Sequence, residues 1–350
     1  MPLDLQVKNN FLTVDKNNIQ IFFSVLSSVF LFATGNFLFL TIIYLLFFSE
    51  IKKNIVILTL LSFITLFFLF LDPLSAKNFF FISTTIVLYS SKFSDYIFEV
   101  LKLYSYCIFL FLLYLLTLTP IYGEWSDVFN FKHRLWLQLD NGNILNPNPL
   151  GLLSAICALG FYLNKKFILM LVPLLFLILT QSRSAILFLA ISMLFCNGVN
   201  LKKVLYGGGF LIILIYIVSL TPVVDRFKEE GENGRLVRFY YYKDELLNNF
   251  LTGMPYTKYV YMNDTIGSLD NMYLLSILKF GLFGVGLIVF WLIYFILNKR
   301  DKFYSIRFSL FLSFLVLGVF EGSIMGSFFT WLVFAMSFNS FSVYNLIPKR

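Results

Sequence analysis

Long apolar runs dominate this sequence and constrain its fold more than any other feature. Several reach the roughly 20 residues that a helix needs to cross the apolar core of a bilayer. Lipid permits only helices or a closed barrel, and these runs are too long and too weakly alternating to be barrel strands. The runs lie near residues 22–47, 54–71, 79–91, 100–119, 149–163, 167–180, 185–197, 204–220, 280–297, 304–320 and 327–345.

The runs predict an all-α fold in which residues 1–350 form a single integral-membrane domain. We expect a polytopic bundle of about 11–12 transmembrane helices, with short connections and one large loop. The number is 11 if the run 22–47 forms one long tilted helix, and 12 if it breaks at Thr34-Gly35-Asn36.

The composition excludes several classes of function. Apolar residues make up 59% of the chain and charged residues 13%, whereas soluble domains are closer to half apolar and a quarter charged. A soluble core of this size could not bury 45 phenylalanines and 20 tyrosines. A soluble enzyme, a nucleic-acid-binding domain and a disordered chain are therefore excluded.

Neither the cysteines nor the histidine predicts a metal site. Cys107, Cys157 and Cys196 lie inside apolar runs without metal-ligand spacing, and His133 is the single histidine. The sequence therefore predicts no metal and no other cofactor.

Pairs of basic residues flank the apolar runs and predict their orientation. The pairs are Lys52-Lys53, Lys165-Lys166, Lys202-Lys203, Lys299-Arg300 and Lys349-Arg350. Counting the runs between them places every pair on one side, which should be the cytoplasm. The opposite side then receives residues 120–148, the short turn 181–184 and the large loop 221–279.

Arg183 is the most informative single residue. It lies in the turn Thr180-Gln181-Ser182-Arg183-Ser184, which is too short to lift its side chain far into water. An arginine near the apolar zone is costly unless it is paired or reaches the interface. It would either face a cavity and hold a phosphate through two hydrogen bonds, or bind lipid headgroups at a helix end.

The large loop carries further charged candidates. Arg235 and Arg238 would share a face of a helix, where they either bind phosphate or sugar or form solvated ion pairs with nearby glutamates. Asp270 would act either as a general base toward a sugar hydroxyl or as an N-cap residue. Lys279 is expected at the end of a short surface helix.

Local patterns predict two features of the loop and of the run that follows it. Asp244-Glu245-Leu246-Leu247 indicates a helix, which Gly253-Met254-Pro255 should end. Gly281, Gly284 and Gly286 are spaced like a nucleotide-binding loop, but no strand precedes them. We expect these three glycines to permit close packing of helices instead.

Four short elements together resemble the Wzy-type O-antigen polymerases, which with the O-antigen ligases form one family of bacterial inner-membrane glycosyltransferases. They are Asn-Pro-Asn-Pro-Leu-Gly at 146–151, Thr-Gln-Ser-Arg-Ser-Ala at 180–185, Gly234-Arg235 with the aromatics up to Gly253, and Asp270-Asn271-Met272-Tyr273-Leu274. They occur in the family's order, on the side of the membrane that the basic pairs predict. The resemblance implies a GT-C-like bundle whose active site faces the periplasm, beside a large periplasmic loop.

The resemblance also implies a reaction and a set of site residues. The donor would be a growing glycan on undecaprenyl diphosphate, and the acceptor another lipid-linked repeat unit. Transfer would use no nucleotide sugar and no cofactor, with membrane lipid and a chain-length regulator protein as partners and no nucleic acid. The family's arginines correspond to Arg183 and to Arg235 with Arg238, which would hold the diphosphate. Beyond the resemblance, we expect Arg183, Arg235 and Asp270 to be catalytic, with Asp270 as the first candidate for the base. We expect Asn148, Arg238, Lys243, Asn271 and Tyr273 to bind substrate.

Other functions remain open alongside the O-antigen polymerase. O-antigen ligases typically place a histidine where this sequence has Asp270-Asn271, so the lone His133 favours a polymerase. Capsule and exopolysaccharide polymerases are not distinguished by these elements. A lipid-linked oligosaccharide flippase is the alternative of another class, and internal symmetry would favour it. A structural membrane subunit is the third alternative, and it predicts no deep cavity beneath the large loop.

Overall fold

The computed structural model describes the chain in several stretches. These are residues 55–71, 96–139, 144–196, 233–267, 269–297, 304–321 and 333–338, with Gly142 and single positions within 19–27 and 80–90. The predicted run 204–220 and most of the runs 22–47, 79–91 and 327–345 lie outside these residues, as does the break predicted at Thr34-Gly35-Asn36.

Helices make up most of the described residues, which confirms the all-α prediction. They are α1 (Ile55–Leu71), α2 (Ile97–Leu115), α3 (Trp125–Phe129), α4 (Pro147–Leu163), α5 (Phe167–Thr180), α6 (Arg183–Phe195), α7 (Asn233–Asn248), α8 (Tyr256–Ile266), α9 (Met272–Phe280), α10 (Leu282–Leu297) and α11 (Tyr304–Phe320). The described strands are β1 (Leu137–Gln138) and β2 (Ile144–Leu145), a short antiparallel hairpin in which Leu137 pairs with Leu145.

Side chains in the sequence define where the central helices begin. Asn146 caps α4, since its side chain accepts a hydrogen bond from the Asn148 amide at 2.9 Å, and Pro147 opens the first turn. Between α5 and α6 the chain turns through Gln181, whose φ is 51°, and Ser182, which is extended. The turn is therefore only two residues long, and Arg183 is already the first residue of α6.

Helix α4 lies at the centre of the bundle. It packs against α2, α5 and α6, and α6 packs in turn against α11. One large apolar core runs through these helices. At the start of α11, the buried Arg307 donates hydrogen bonds to the carbonyls of Met336 and Phe338, which ties the segment 333–338 to the bundle.

Helix length separates α2 from the other helices. Within the described ranges, α2 is the one helix that is both long and apolar enough to cross a membrane. Helices α4, α5, α6 and α11 are apolar but shorter, at 17 residues or fewer. The membrane itself and the number of spans therefore stay predictions from the sequence.

The described part of the large loop has a small core of its own. Helices α7, α8 and α9 and their connections are here called the loop unit (233–280). They surround a cluster of buried side chains: Tyr242, Met254, Leu269, Leu275 and Leu278. Lys258 of α8 pairs with Glu245 of α7 at 2.6 Å, and the Lys279 ammonium lies 4.4 Å from the centre of the Tyr259 ring. Lys279 lies in the last turn of α9, as predicted.

The helix predicted after the tyrosine run is confirmed as α7, but its end was predicted wrongly. Helix α7 ends at Asn248, before Gly253. Gly253 instead lies against the chain where α9 ends. There the Met254 amide donates to the Leu278 carbonyl at 2.6 Å, and the Leu282 amide donates to the Leu251 carbonyl at 3.3 Å. Gly253 and Gly281 both have positive φ, and a Cβ on Gly281 would lie 2.6 Å from the Gly253 nitrogen.

The prediction of close packing holds for two of the three glycines at the start of α10. Gly281 lies against the Gly253 main chain, and Gly284 lies against the main chain of Ser276. A Cβ on Gly286 would meet none of the described residues within 4 Å, so that part of the structure does not show the close packing predicted there.

Candidate functional site

The first two sequence elements lie side by side at one end of the bundle. A Cβ added to Gly151 of α4 would lie 2.6 Å from the Ser182 Cβ and 2.8 Å from the Thr180 hydroxyl oxygen. The first turn of α4 therefore touches the turn between α5 and α6, and no larger residue fits between them without displacement. This contact brings Asn148 and Arg183 to the same end of the molecule.

Arg134 links these two elements. Its Nε donates to the Thr180 carbonyl at 3.0 Å, and its terminal nitrogen donates to the Asn148 side-chain oxygen. The chain beside it follows the end of α5, since the Leu135 amide donates to the Leu179 carbonyl at 3.1 Å. Arg134 was not predicted as a site residue, because it lies in an irregular loop where no periodicity marks it.

Arg183 is exposed at the start of α6, whereas its neighbours Ser182 and Ser184 are buried. Its charge lies at a helix N-terminus, where backbone amides already favour an anion. Asn148 lies within the first turn of α4, so the N-termini of two helices open on this region. Such an arrangement is suited to binding a phosphate group.

Glu321 lies beside the same turn at the end of α11. The Ser184 hydroxyl donates to Glu321 Oε2 at 3.4 Å, and the Ser182 and Ser184 oxygens are 3.3 Å apart. Glu321 is 6% exposed. Glu321 was not predicted as a site residue. An acidic residue directly after the apolar run 304–320 is nevertheless a signal that could have identified it.

A second charged group lies in the loop unit. Arg238 of α7 forms an ion pair with Asp270 at 3.0 Å, and both side chains are partly buried. The Tyr242 hydroxyl, one turn later, donates to the Gly267 carbonyl at 3.1 Å. The prediction that Asp270 caps a helix is wrong, because Asn271 is the N-cap of α9 and accepts from the Leu274 amide at 3.0 Å.

Asn271 and Tyr273 attach the loop unit to α11. The Asn271 amide group donates to the Val319 carbonyl at 3.1 Å, and the Tyr273 hydroxyl donates to the Leu315 carbonyl at 2.6 Å. Burial raises the pKa of Tyr273 to about 12, so its hydroxyl remains a donor well above neutral pH. Both residues were predicted to bind substrate, and the contacts shown are structural.

Helix α11 connects the two charged groups. Val319 contacts Asn271 of the loop unit, and Glu321, two residues later, contacts Ser184 beside Arg183. Residues from each of the four sequence elements therefore belong to one continuous set of contacts. The exception is Gly234-Arg235, with which the third element begins. Arg235 lies on α7 three residues before Arg238, and its side chain falls outside the described part of the structure.

Lys243 is exposed on α7, five residues after Arg238. Among the described residues, no three His, Cys, Asp or Glu side chains lie together in a way that could hold a metal ion.

No family model, curated protein or solved structure matches the chain.

Proposed function

We propose that this chain is a polysaccharide polymerase of the bacterial inner membrane. It would transfer a glycan from undecaprenyl diphosphate onto another lipid-linked repeat unit at the periplasmic face, as an O-antigen polymerase does. Its partners would be the lipid-linked oligosaccharide, membrane lipid and a chain-length regulator protein.

One observation carries the proposal: elements far apart in the sequence converge around Arg183. The Gly151–Ser182 contact joins the first two elements, and the bonds of Ser184 and Asn271 to the end of α11 connect them to the fourth. The resemblance identified these elements from the sequence alone. A set of unrelated surface segments would have no reason to meet at one end of a bundle.

The proposed chemistry is electrostatic. Diphosphate is a good leaving group if the charge that develops on it is stabilised, and preorganised arginines in a low-dielectric cleft do this without a metal. Arg183 would hold the diphosphate with the amides at the α6 N-terminus. Arg235 and Arg238, with Lys243, would contribute from α7. Asn148 would contribute from the first turn of α4.

Replacement of the arginines tests this proposal. In the native host lacking the wild-type gene, we expect Arg183→Ala and Arg235→Ala to abolish chain extension while the protein still inserts. Arg183→Lys keeps the charge but loses the planar fork, so it should restore only part of the activity. Lys166→Ala is the matched control, because Lys166 is an exposed cation at the opposite end of α5. The readout is a gel of the surface polysaccharide.

The pattern on the gel separates the proposal from its alternatives. Deletion of a polymerase removes the ladder and leaves one repeat unit attached, whereas deletion of a ligase removes all attachment. Normal-length polymer from both arginine variants would refute the site. An unchanged ladder after deletion of the wild-type gene would refute the function.

A further inference from the structure

The carboxylate of Glu321 is placed unusually for an acidic residue. It follows 17 residues of apolar helix, and its side chain is 6% exposed. Burying a carboxylate costs several kcal/mol unless hydrogen bonds and charges compensate. A carboxylate that served only solubility would not be buried, so its position requires another explanation.

The surroundings of Glu321 are those of the proposed transfer site. It accepts from the hydroxyl of Ser184, the residue that follows Arg183, and that hydroxyl lies 3.3 Å from the Ser182 oxygen. Two residues before Glu321, the Val319 carbonyl accepts a hydrogen bond from the Asn271 side chain at the start of α9. Glu321 therefore lies where the α5–α6 turn, α11 and α9 meet.

Asp270, the base expected from the sequence, is placed differently. Its carboxylate accepts from Arg238 at 3.0 Å within the loop unit. Asp270 therefore orients Arg238 within the loop unit. Asp270 thus belongs to the loop unit, whereas Glu321 is buried beside the turn that directly precedes Arg183.

We infer that Glu321 is the catalytic base of the transfer reaction, an inference that rests on the proposed function. The acceptor hydroxyl gives its proton to the Glu321 carboxylate as its oxygen bonds to the anomeric carbon of the donor sugar. The bond from that carbon to the diphosphate oxygen breaks, and its electron pair leaves with the diphosphate. The Ser184 hydroxyl holds the carboxylate in place, and the arginines stabilise the leaving group.

Removal of the carboxylate at constant size tests the inference. We expect Glu321→Gln to slow chain extension by about a hundredfold or more, which is the usual contribution of a general base. Purified Glu321→Gln should bind undecaprenyl diphosphate as tightly as the wild type, because the arginines are intact. The matched control is Glu99→Gln, which alters an exposed carboxylate in the first turn of α2 and should change neither quantity.

Each outcome decides the matter. Activity of Glu321→Gln within about threefold of the wild type would overturn the inference, since a lost base costs far more. Equal losses of activity and of undecaprenyl diphosphate binding would also overturn it, because they indicate a positioning role. If Glu321→Gln does not accumulate, Glu321→Asp and Glu321→Asn replace it. Asp should be at least about tenfold more active than Asn, and equal activities would refute the base.

Failure of the inference is distinguishable from failure of the proposed function. If the wild-type protein builds polymer and binds undecaprenyl diphosphate, and Glu321→Gln is active, only the assignment of Glu321 as the base is refuted. If the wild-type protein neither restores the ladder nor binds undecaprenyl diphosphate, the proposed function itself is refuted.

Discussion

At the scale of single residues, Arg134 joins two of the sequence elements at the candidate site. Its guanidinium donates in two directions, to the Thr180 carbonyl and to the Asn148 side chain. A planar fork can span two such acceptors, whereas a lysine ammonium on a flexible stem holds them less firmly. Arg134 therefore fixes the distance between the first turn of α4 and the end of α5.

Replacing Arg134 should lower stability. We expect Arg134→Ala to reduce the free energy of unfolding by about 1–3 kcal/mol, because it leaves the partly buried Asn148 and Thr180 oxygens without this donor. Arg134→Lys should recover part of the loss. Thermal unfolding of the detergent-solubilised protein measures both.

The control for Arg134 lies two residues earlier in the same loop. Lys132 is exposed and pairs with Asp127 at 2.9 Å, and surface pairs of this kind contribute little. Lys132→Ala should therefore leave the unfolding temperature unchanged. Equal effects of the Arg134 and Lys132 replacements would show that Arg134 does not link the elements.

At the scale of elements, the contact between α4 and the α5–α6 turn determines whether the site can form. Gly151 makes that contact possible, since a Cβ there would lie 2.6 Å from Ser182. Contacts under 3 Å require the backbone or a neighbouring side chain to move, and Ser182 is fixed between two helices. Movement of this turn would displace Arg183 with it.

Gly151→Ala should therefore reduce both stability and chain extension. We expect a loss of about 1–3 kcal/mol in unfolding free energy from overpacking, together with a shortened polysaccharide ladder. The matched control is Gly286→Ala on α10, where a Cβ would meet no described residue within 4 Å. That variant should be neutral or up to about 1 kcal/mol more stable, because alanine is the better helix former. Identical behaviour of the two variants would rule out the close contact at Gly151.

At the scale of the whole molecule, the described residues form two hydrophobic cores of unequal size. The large core belongs to the helix bundle and the small one to the loop unit. Burial raises the pKa of Tyr242 in the small core, and it raises the pKa of Tyr259 to about 12. Because a tyrosine in an unfolded chain titrates near pH 10, the native loop unit holds these protons more tightly than the unfolded chain does.

The loop unit should therefore unfold in alkali before the bundle does. The stability that Tyr259 contributes is fully present below about pH 10 and is lost as the pH rises from about 10 through about 12, and Tyr242 acts in the same direction. Tyrosinate absorbance should rise together with a partial loss of helical circular dichroism. Tyr259→Phe cannot ionise at that position, so it should shift the transition to higher pH. A single transition of all helices, unaffected by Tyr259→Phe, would argue against two separately stable cores.

The sequence predicts the helices of this fold better than it predicts the site. Apolar runs located α1, α4, α5, α10 and α11 to within a few residues, because burial and helix formation leave a regular pattern. The pattern also placed Arg183 at a tight connection between two apolar runs, although it is the first residue of α6 and not part of the turn. It could not show which side of that turn faces α4, since this depends on a glycine contact between helices.

The residues that were missed share a physical cause. Arg134 acts through an irregular loop, and Glu321 acts through a contact with Ser184, which lies 137 positions earlier in the chain. The exchange of roles between Asp270 and Asn271 arose because both residue types cap helices well. In the structure, Asp270 pairs with Arg238, which lies 32 positions earlier in the chain, and Asn271 is the cap.

The close contact between Gly253 and Gly281 depends on main-chain atoms, so it places few demands on the side chains of the loop unit. The loop unit meets the bundle there through main-chain groups, which every amino acid carries. Under the proposed function, the exposed side chains of α7 and α8 other than Arg235, Arg238 and Lys243 would be free to change with the polymer, provided that the two glycines and the attachment to α11 persist. Under the proposed function, substitutions on this one surface would change which sugar is recognised and leave the contacts beside Arg183 unaltered.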